Sequence, residues 1–206
     1  MKQLKYLSCA IVAMSCGVNA NAQTYPVKPI RMLVGYAPGG GADVLARLLA
    51  VRIADATGQQ VVVDNRPGAG GTVAAAILAK AVADAHTLYF SDASFVTAPG
   101  IYARLPYDTL NDFAAAGNTC ALPLAFVVHP SVPANGPAEF MALVKANPGK
   151  YSYGTPGVGT LHHLTTELLK KQTGIQLAHV PYKGAAPAMT DLIDRKSTRL
   201  NSSHVS

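Results

Sequence analysis

The 206-residue sequence has no tryptophan, only three cysteines, and only 14% charged residues. Half of it is hydrophobic, so too little charge against that apolar content excludes an intrinsically disordered chain. It also lacks a long apolar run, because the stretch Tyr6 to Val18 falls short of the roughly 20 residues a membrane span needs. Standard nucleotide and catalytic signatures are missing too. Neither Gly39 nor Gly68 leads into the Gly-Lys-Ser/Thr of a phosphate-binding loop. Gly68 and Gly70 begin a G-x-G-x-x-G pattern, but Val73 stands at its third glycine. There is no G-x-S-x-G elbow, no H-E-x-x-H and no close carboxylate pair. His162 and His163 are adjacent, which on a helix separates them by roughly 100° and keeps them from sharing a metal. The residues ask for no enzyme, no cofactor and no metal.

What is present begins with the ends. Lys2 and Lys5, the apolar stretch to Val18, and Ala20-Asn21-Ala22 read as a secretory signal peptide over residues 1–22. A lipoprotein signal at Cys9 or Cys16 fits less well. Export would remove both of these cysteines and leave Cys120 alone, so an internal disulfide is excluded and a small buried thiol is expected. An exported chain without disulfides must hold itself by its core, which suits a bacterial periplasm. Residues 195–206 have no apolar period and follow abruptly on a helical pattern, so they read as a non-native tail. The formal charge of +6 changes accordingly. Lys2, Lys5, Arg195, Lys196 and Arg199 are five of the 17 basic residues, leaving 12 against 11 acidic ones, a net +1. A nucleic-acid or membrane-surface partner is therefore not expected.

Between the ends, strand-like and helix-like segments alternate. Ile30–Tyr36, Gln60–Asp64, Thr87–Ser91, Leu124–His129, Tyr151–Gly154 and Leu177–Val180 are expected strands. Ala42–Thr57, Thr72–Ala83, a segment opened by Gly136-Pro137, Thr160–Lys171 and Ala185–Ile193 are expected helices. Val44, Leu45, Leu48 and Leu49 are the expected core face of the first helix, and Leu161, Leu164 and Leu168 that of the fourth. This rhythm means an α/β fold with a largely parallel sheet. It breaks over Leu105–Asn118, where a lobe boundary is expected.

Glycine clusters at three strand-to-helix junctions, 39–41, 68–71 and 154–159. In parallel α/β sheets these junctions share one edge, where ligands bind. Glycine lets backbone N–H groups approach an anion, and a helix N-terminus adds about half a positive charge. Any single loop of this kind can equally be plain turn chemistry. Opposed loops from two lobes would make a carboxylate or phosphate site.

Five strings, YPVKPIRMLVGYAPGGGADVLARLLA, VVVDNRPGAGG, LPYDTLNDFA, YSYGTPGVGTLHHL and HVPYKGAAPAMTDLI, occur in order from Tyr25 to Ile193. Together they resemble the extracytoplasmic solute-binding receptors of the tripartite tricarboxylate transporter family. The resemblance implies a type II periplasmic-binding-protein clamp of two lobes, with a small carboxylate ligand held between them. It also implies a non-enzymatic, monomeric receptor that hands its ligand to integral membrane permease subunits. The expected division is 23–116 for the first lobe and 117–194 for the second. Carried onto this sequence, Pro38, Gly39, Gly40, Gly41 and Ala42 form one anion loop with Tyr36 beneath it. Thr155, Gly157, Gly159 and Thr160 form the opposing loop, with hydroxyls and N–H groups aimed at the ligand, and Asn65, Gly68, Gly70 and Gly71 line the floor. His163 matches a family histidine and, near a helix N-terminus, is expected to favour its neutral form. Asp43 either selects amino-bearing or protonated ligands or caps its own helix. Lys183 either pairs with a carboxylate or only serves its loop.

The resemblance also implies chain beyond Ile193, a Gly-rich turn and strands that return to the first lobe. Two lobes of that size need roughly 250–300 residues, so the clamp is expected to be incomplete and to bind ligand poorly. The competing readings are a nucleotide- or phosphate-binding Rossmann-like enzyme and an inactive fragment of the receptor. Ala85-His86 stands where an Asp-Gly type turn is usual.

Overall fold

The structure is a computed structural model, and it describes residues 25–194. The expected signal peptide and tail both lie outside the described residues. Strand β1, Ile30–Val34, is almost wholly apolar, and Ile30, Met32, Leu33 and Val34 are no more than 2% exposed. A run of that kind belongs between two neighbours. It has β2, Val61–Asn65, on one side and β3, Thr87–Phe90, on the other, both parallel to it. The chain steps from β1 to β2 and then across β1 to β3, so the order β2-β1-β3 reverses direction at the C-terminal end of β1. That edge is where ligands sit in open parallel sheets.

Helix α1, Gly41–Thr57, joins β1 to β2 and ends at Gly58, whose left-handed φ of 69° lets its N–H reach the Ala54 carbonyl. Its buried residues are Asp43, Ala46 and Ala50, while Val44 and Leu48 are 49% and 60% exposed. The expected leucine-valine face is thus corrected at Val44 and Leu48, while Leu49 packs on the core as expected. Ala46 sits in the core with Met32 and Val34, Leu49 and Ile53 pack against that cluster, and Val44 and Leu48 lie to the side. Helix α2, Thr72–Ala79, stops four residues earlier than expected because the chain turns at Asp84-Ala85-His86 to enter β3. Helix α3, Ala93–Thr97, follows β3 and is capped by Asp92. Phe95 gathers Tyr89, Tyr107 and Phe113 around it at centroid distances of 4.9–6.2 Å, which ties residues 105–113 to the first sheet.

The second part is smaller. Helix α4, Pro137–Ala146, is followed by β4, Ser152–Thr155, then α5, Leu161–Thr173, then β5, Ala178–Pro181, and α6, Ala185–Ile193. Strands β4 and β5 are parallel neighbours. Val144, Tyr153, Ile175 and Leu177 form the core here, with Leu169 packed against them. Leu161 and Leu168 are 37% and 53% exposed, so the expected core face of α5 is corrected as well. The helix instead lays the polar His163 and Glu167 on the sheet.

The expected strand Leu124–His129 has no ladder among the described residues, and its Phe126 and Val127 are each 52% exposed. A strand needs a hydrogen-bonding neighbour as well as an apolar run, and this segment has none in a ladder, though Phe126 meets the Phe140 ring edge-on. Cys120 is exposed rather than buried. No helix among the described residues is long and apolar enough to cross a membrane.

Candidate functional site

Four loops meet at the C-terminal edge of the two sheets. The first leaves β1 and enters α1. Tyr36 is 5% exposed there, and its hydroxyl donates to Asp92 at 2.8 Å. Burial, reinforced by the Asp92 carboxylate, raises the Tyr36 phenol well above its ordinary range. Pro38, Gly39 and Gly41 are exposed, Ala42 is half-buried and Gly40 is buried. Gly40 is the N-cap of α1 and supplies no side-chain acceptor.

Asp43 takes that job from inside the helix. Its carboxylate accepts the Gly39 N–H at 2.9 Å, a bidentate pair of bonds from Arg47, and Asn65 Nδ2 at 2.8 Å. Burial works to raise its pKa, but the hydrogen bonds from Arg47, Gly39 and Asn65 outweigh it and hold the group ionised below the usual range. Every acceptor direction of Asp43 is turned inward to its own loop. Asn65 is similarly committed, donating to the Tyr36 carbonyl at 3.0 Å as well as to Asp43.

The second loop runs from β2 into α2 through a tight turn, Ala69–Gly71. Gly68, Gly70 and Gly71 have φ of 143°, 61° and 93°, in the left-handed half of backbone space. A Cβ on Gly71 would strike the Tyr89 hydroxyl at 2.6 Å, and that hydroxyl donates to the Gly71 carbonyl. Val73, at the place of a third dinucleotide glycine, lies against Gly68 instead.

The third loop, Thr155 to Thr160, comes from the second sheet. Thr155 and Thr160 are 1% and 0% exposed, and both hydroxyls donate to the Gly157 carbonyl, at 3.1 and 2.8 Å. The expectation of hydroxyls aimed at a ligand is corrected, because they are used up in shaping the loop. Thr160 also caps α5 by accepting the His163 N–H. His163 Nδ1 accepts the Gly159 N–H at 3.2 Å, which places its proton on Nε2. Gly157 and Gly159 are buried with φ of 155° and 79°.

The fourth loop precedes α6. The Lys183 carbonyl accepts the Ala37 N–H at 2.8 Å, whereas the Lys183 side chain is exposed and has no polar partner among the described residues. Gly184, with φ 149°, packs on Ala37, and Ala185 lies 3.6 Å from the Cβ position of Gly40. The starts of α1 and α6 therefore face each other.

Contacts between the two sheets' loops complete the arrangement. Gly157 approaches the Gly70 amide, the Tyr102 hydroxyl donates to the Val158 carbonyl at 3.0 Å, and the Leu161 N–H donates to Ser94 Oγ at 3.4 Å. Tyr89, Asp92, Ser94 and Tyr102 were not among the expected site residues. An Asp two residues before a Ser after a strand is a helix-cap pattern and marks Asp92, but no local pattern marks Tyr102. Among the described residues no three His, Cys, Asp or Glu side chains gather to hold a metal.

Helices α1, α2 and α6 start at Gly40, Gly71 and Gly184 with no side-chain cap. Three helix starts without an N-cap side chain, beside the loop before α5, bring positive dipole ends together, although Asp43 already accepts the Gly39 N–H at α1 and the Gly68 carbonyl the Gly71 N–H at α2. Such a place suits a carboxylate, held chiefly by backbone. The fold is that of part of a periplasmic solute-binding protein. It matches an R. palustris protein solved with adipate at TM-score 0.79 and 34% identity, covering 82% of this chain and 56% of that one. It matches MatC from Rhodopseudomonas palustris with bound malate at TM-score 0.69 and 26% identity, over 84% and 57% of the respective chains. Among curated relatives, the protein BugT of Bordetella pertussis is 36% identical over 192 residues, 92% of this chain and 59% of that protein. The sequence profile of the tripartite tricarboxylate transporter family receptor matches residues 45–203, and the chain belongs to that family. It spans about half the length of the curated relatives it matches.

Proposed function

We propose that this chain carries the carboxylate-binding loops of a non-enzymatic periplasmic receptor, which passes its ligand to integral permease subunits. The lobes are residues 23–116 and 117–194, and the ligand lies between them. The observation that carries this reading is the meeting of three glycine-capped helix starts, at Gly40, Gly71 and Gly184, with the loop of Gly157 and Gly159. Like-signed helix ends brought together repel one another, and an anion between them relieves that. The adipate and malate found in two solved relatives are small dicarboxylates of the matching charge.

In this reading the N–H groups of Gly40 to Ala42 take one carboxylate, and those of Gly70 and Val158 take the other, while the N–H groups of Gly39, Gly71, Gly157 and Gly159 are spent inside the loops. Tyr36, Asp43, Asn65, Thr155, Thr160 and His163 hold the loops in shape. Lys183 screens the negative charge from outside. Calorimetry of the chain against adipate, malate, a tricarboxylate and ATP tests it. Saturable heat with the carboxylates and none with ATP is expected. ATP binding without carboxylate binding would favour the Rossmann-like reading and overturn this one.

A further inference from the structure

The second-sheet loop is propped from behind by two imidazoles. His163 and His179 stack with centroids 4.2 Å apart and planes 20° from parallel, and Tyr153 stacks on His179 at 4.8 Å. Each imidazole holds one part of the loop. His179 Nε2 lies 2.7 Å from Thr155 Oγ1, which bonds the Gly157 carbonyl, and His163 Nδ1 accepts the Gly159 N–H. We infer that His163 and His179 are positioning residues for this loop, and that protonation of His163 releases Gly159 and weakens carboxylate binding. This rests on the carboxylate reading of the loop.

The chemistry is a single proton. Neutral His163 offers a lone pair at Nδ1 to the Gly159 N–H, and protonation there sets two donors face to face, so the bond is lost. The new charge also sits against a second imidazole in van der Waals contact. The other groups around the pair are few. On α5, Glu167 accepts the Tyr153 hydroxyl at 2.5 Å and Lys170 Nζ at 2.7 Å, and Lys170 lies over the Tyr153 ring. Toward α3, Asp92 acts on His162, and toward α6, Asp191 is held by the Tyr182 hydroxyl. The Glu167 carboxylate is thus already bonded to both Tyr153 and Lys170. Burial and the neighbouring His163 lower His179 to about 4, so His179 stays a neutral prop.

Nuclear magnetic resonance of the full 206-residue chain tests this without and with ligand. In the unliganded chain the Gly159 amide and the His163 ring are expected to titrate with one shared midpoint. In His163→Asn, whose Oδ1 stands where Nδ1 stood, the Gly159 amide should stay protected from exchange and cease to respond to pH. In His163→Ala that protection should be lost. In the unsubstituted chain, adipate and malate affinity should fall about tenfold between about pH 7 and pH 5. A Gly159 amide that does not follow His163, or an affinity that rises on acidification, would overturn the inference. Should Gly159 follow His163 while neither dicarboxylate moves any loop amide, the positioning role stands and the carboxylate reading, with its pH-dependent release, fails.

Discussion

A methyl group on Gly70 would stand 2.8 Å from the carbonyl oxygen of Val158, closer than real side-chain carbons come to backbone oxygens. The two sheets' loops thus meet at a point where only a hydrogen fits. Gly70 also has φ 61°, which costs another residue about 1–2 kcal/mol. Gly70→Ala is therefore expected to push the loops apart and weaken dicarboxylate affinity by about tenfold or more. Calorimetry of the variant beside the unsubstituted chain reads this, and equal affinities would show that the loops need not touch.

Asp43 is the hub of its loop. Asp43→Asn keeps the shape but removes the charge that Arg47 grips and turns an amide toward the Gly39 N–H. A loss of about 1–3 kcal/mol is expected, read by urea unfolding at neutral pH. Because the folded-state pKa is depressed, the stability from this group is present at neutral pH and fades as the pH falls through and below the ordinary carboxylate range. The variant should lack that acid-side decline.

Ala85 holds φ 60°, and its carbonyl accepts the Tyr25 hydroxyl at 2.7 Å. An alanine there is strained where a glycine is not. Ala85→Gly should gain up to about 1 kcal/mol, after glycine's larger unfolded-state entropy is set against the relief. The midpoint of thermal unfolding should rise by roughly 2–4 °C. A fall would mean the turn is not strained.

His179 gives stability a pH dependence of known sign. Burial foremost, with His163 and Lys170 beside it, lowers it from 6.5 to about 4, so between those values the unfolded chain binds more protons than the folded one. Stability should decline as the pH falls from about 6.5 toward about 4. His179→Gln should reduce that slope, which thermal unfolding across the range measures.

Most of the architecture is written in local pattern. Ile30–Val34 is apolar at every position but Arg31 because it is buried between two strands, and Gly58, Gly174 and Pro137 punctuate helices as their backbone demands. What pattern misplaced depends on partners. Leu124–His129 is apolar enough for a strand but has no ladder among the described residues, and on α1 Val44 and Leu48 give way to Ala46 and Ala50, which allow close approach, while Leu49 keeps its place on the core. The glycine loops of the site were legible, since left-handed turns need that residue. Tyr102 and Ser94 were not, because each acts on a loop more than fifty residues away in sequence.

Amide mapping by ¹H–¹⁵N spectra of the chain titrated with adipate tests the central claim most directly. Saturable shifts are predicted at Gly39 to Ala42, Gly70 and Gly71, Gly157 to Leu161, and Gly184 to Ala186. Shifts absent from these amides, or confined to other surfaces, would contradict a carboxylate held by converging backbone N–H groups.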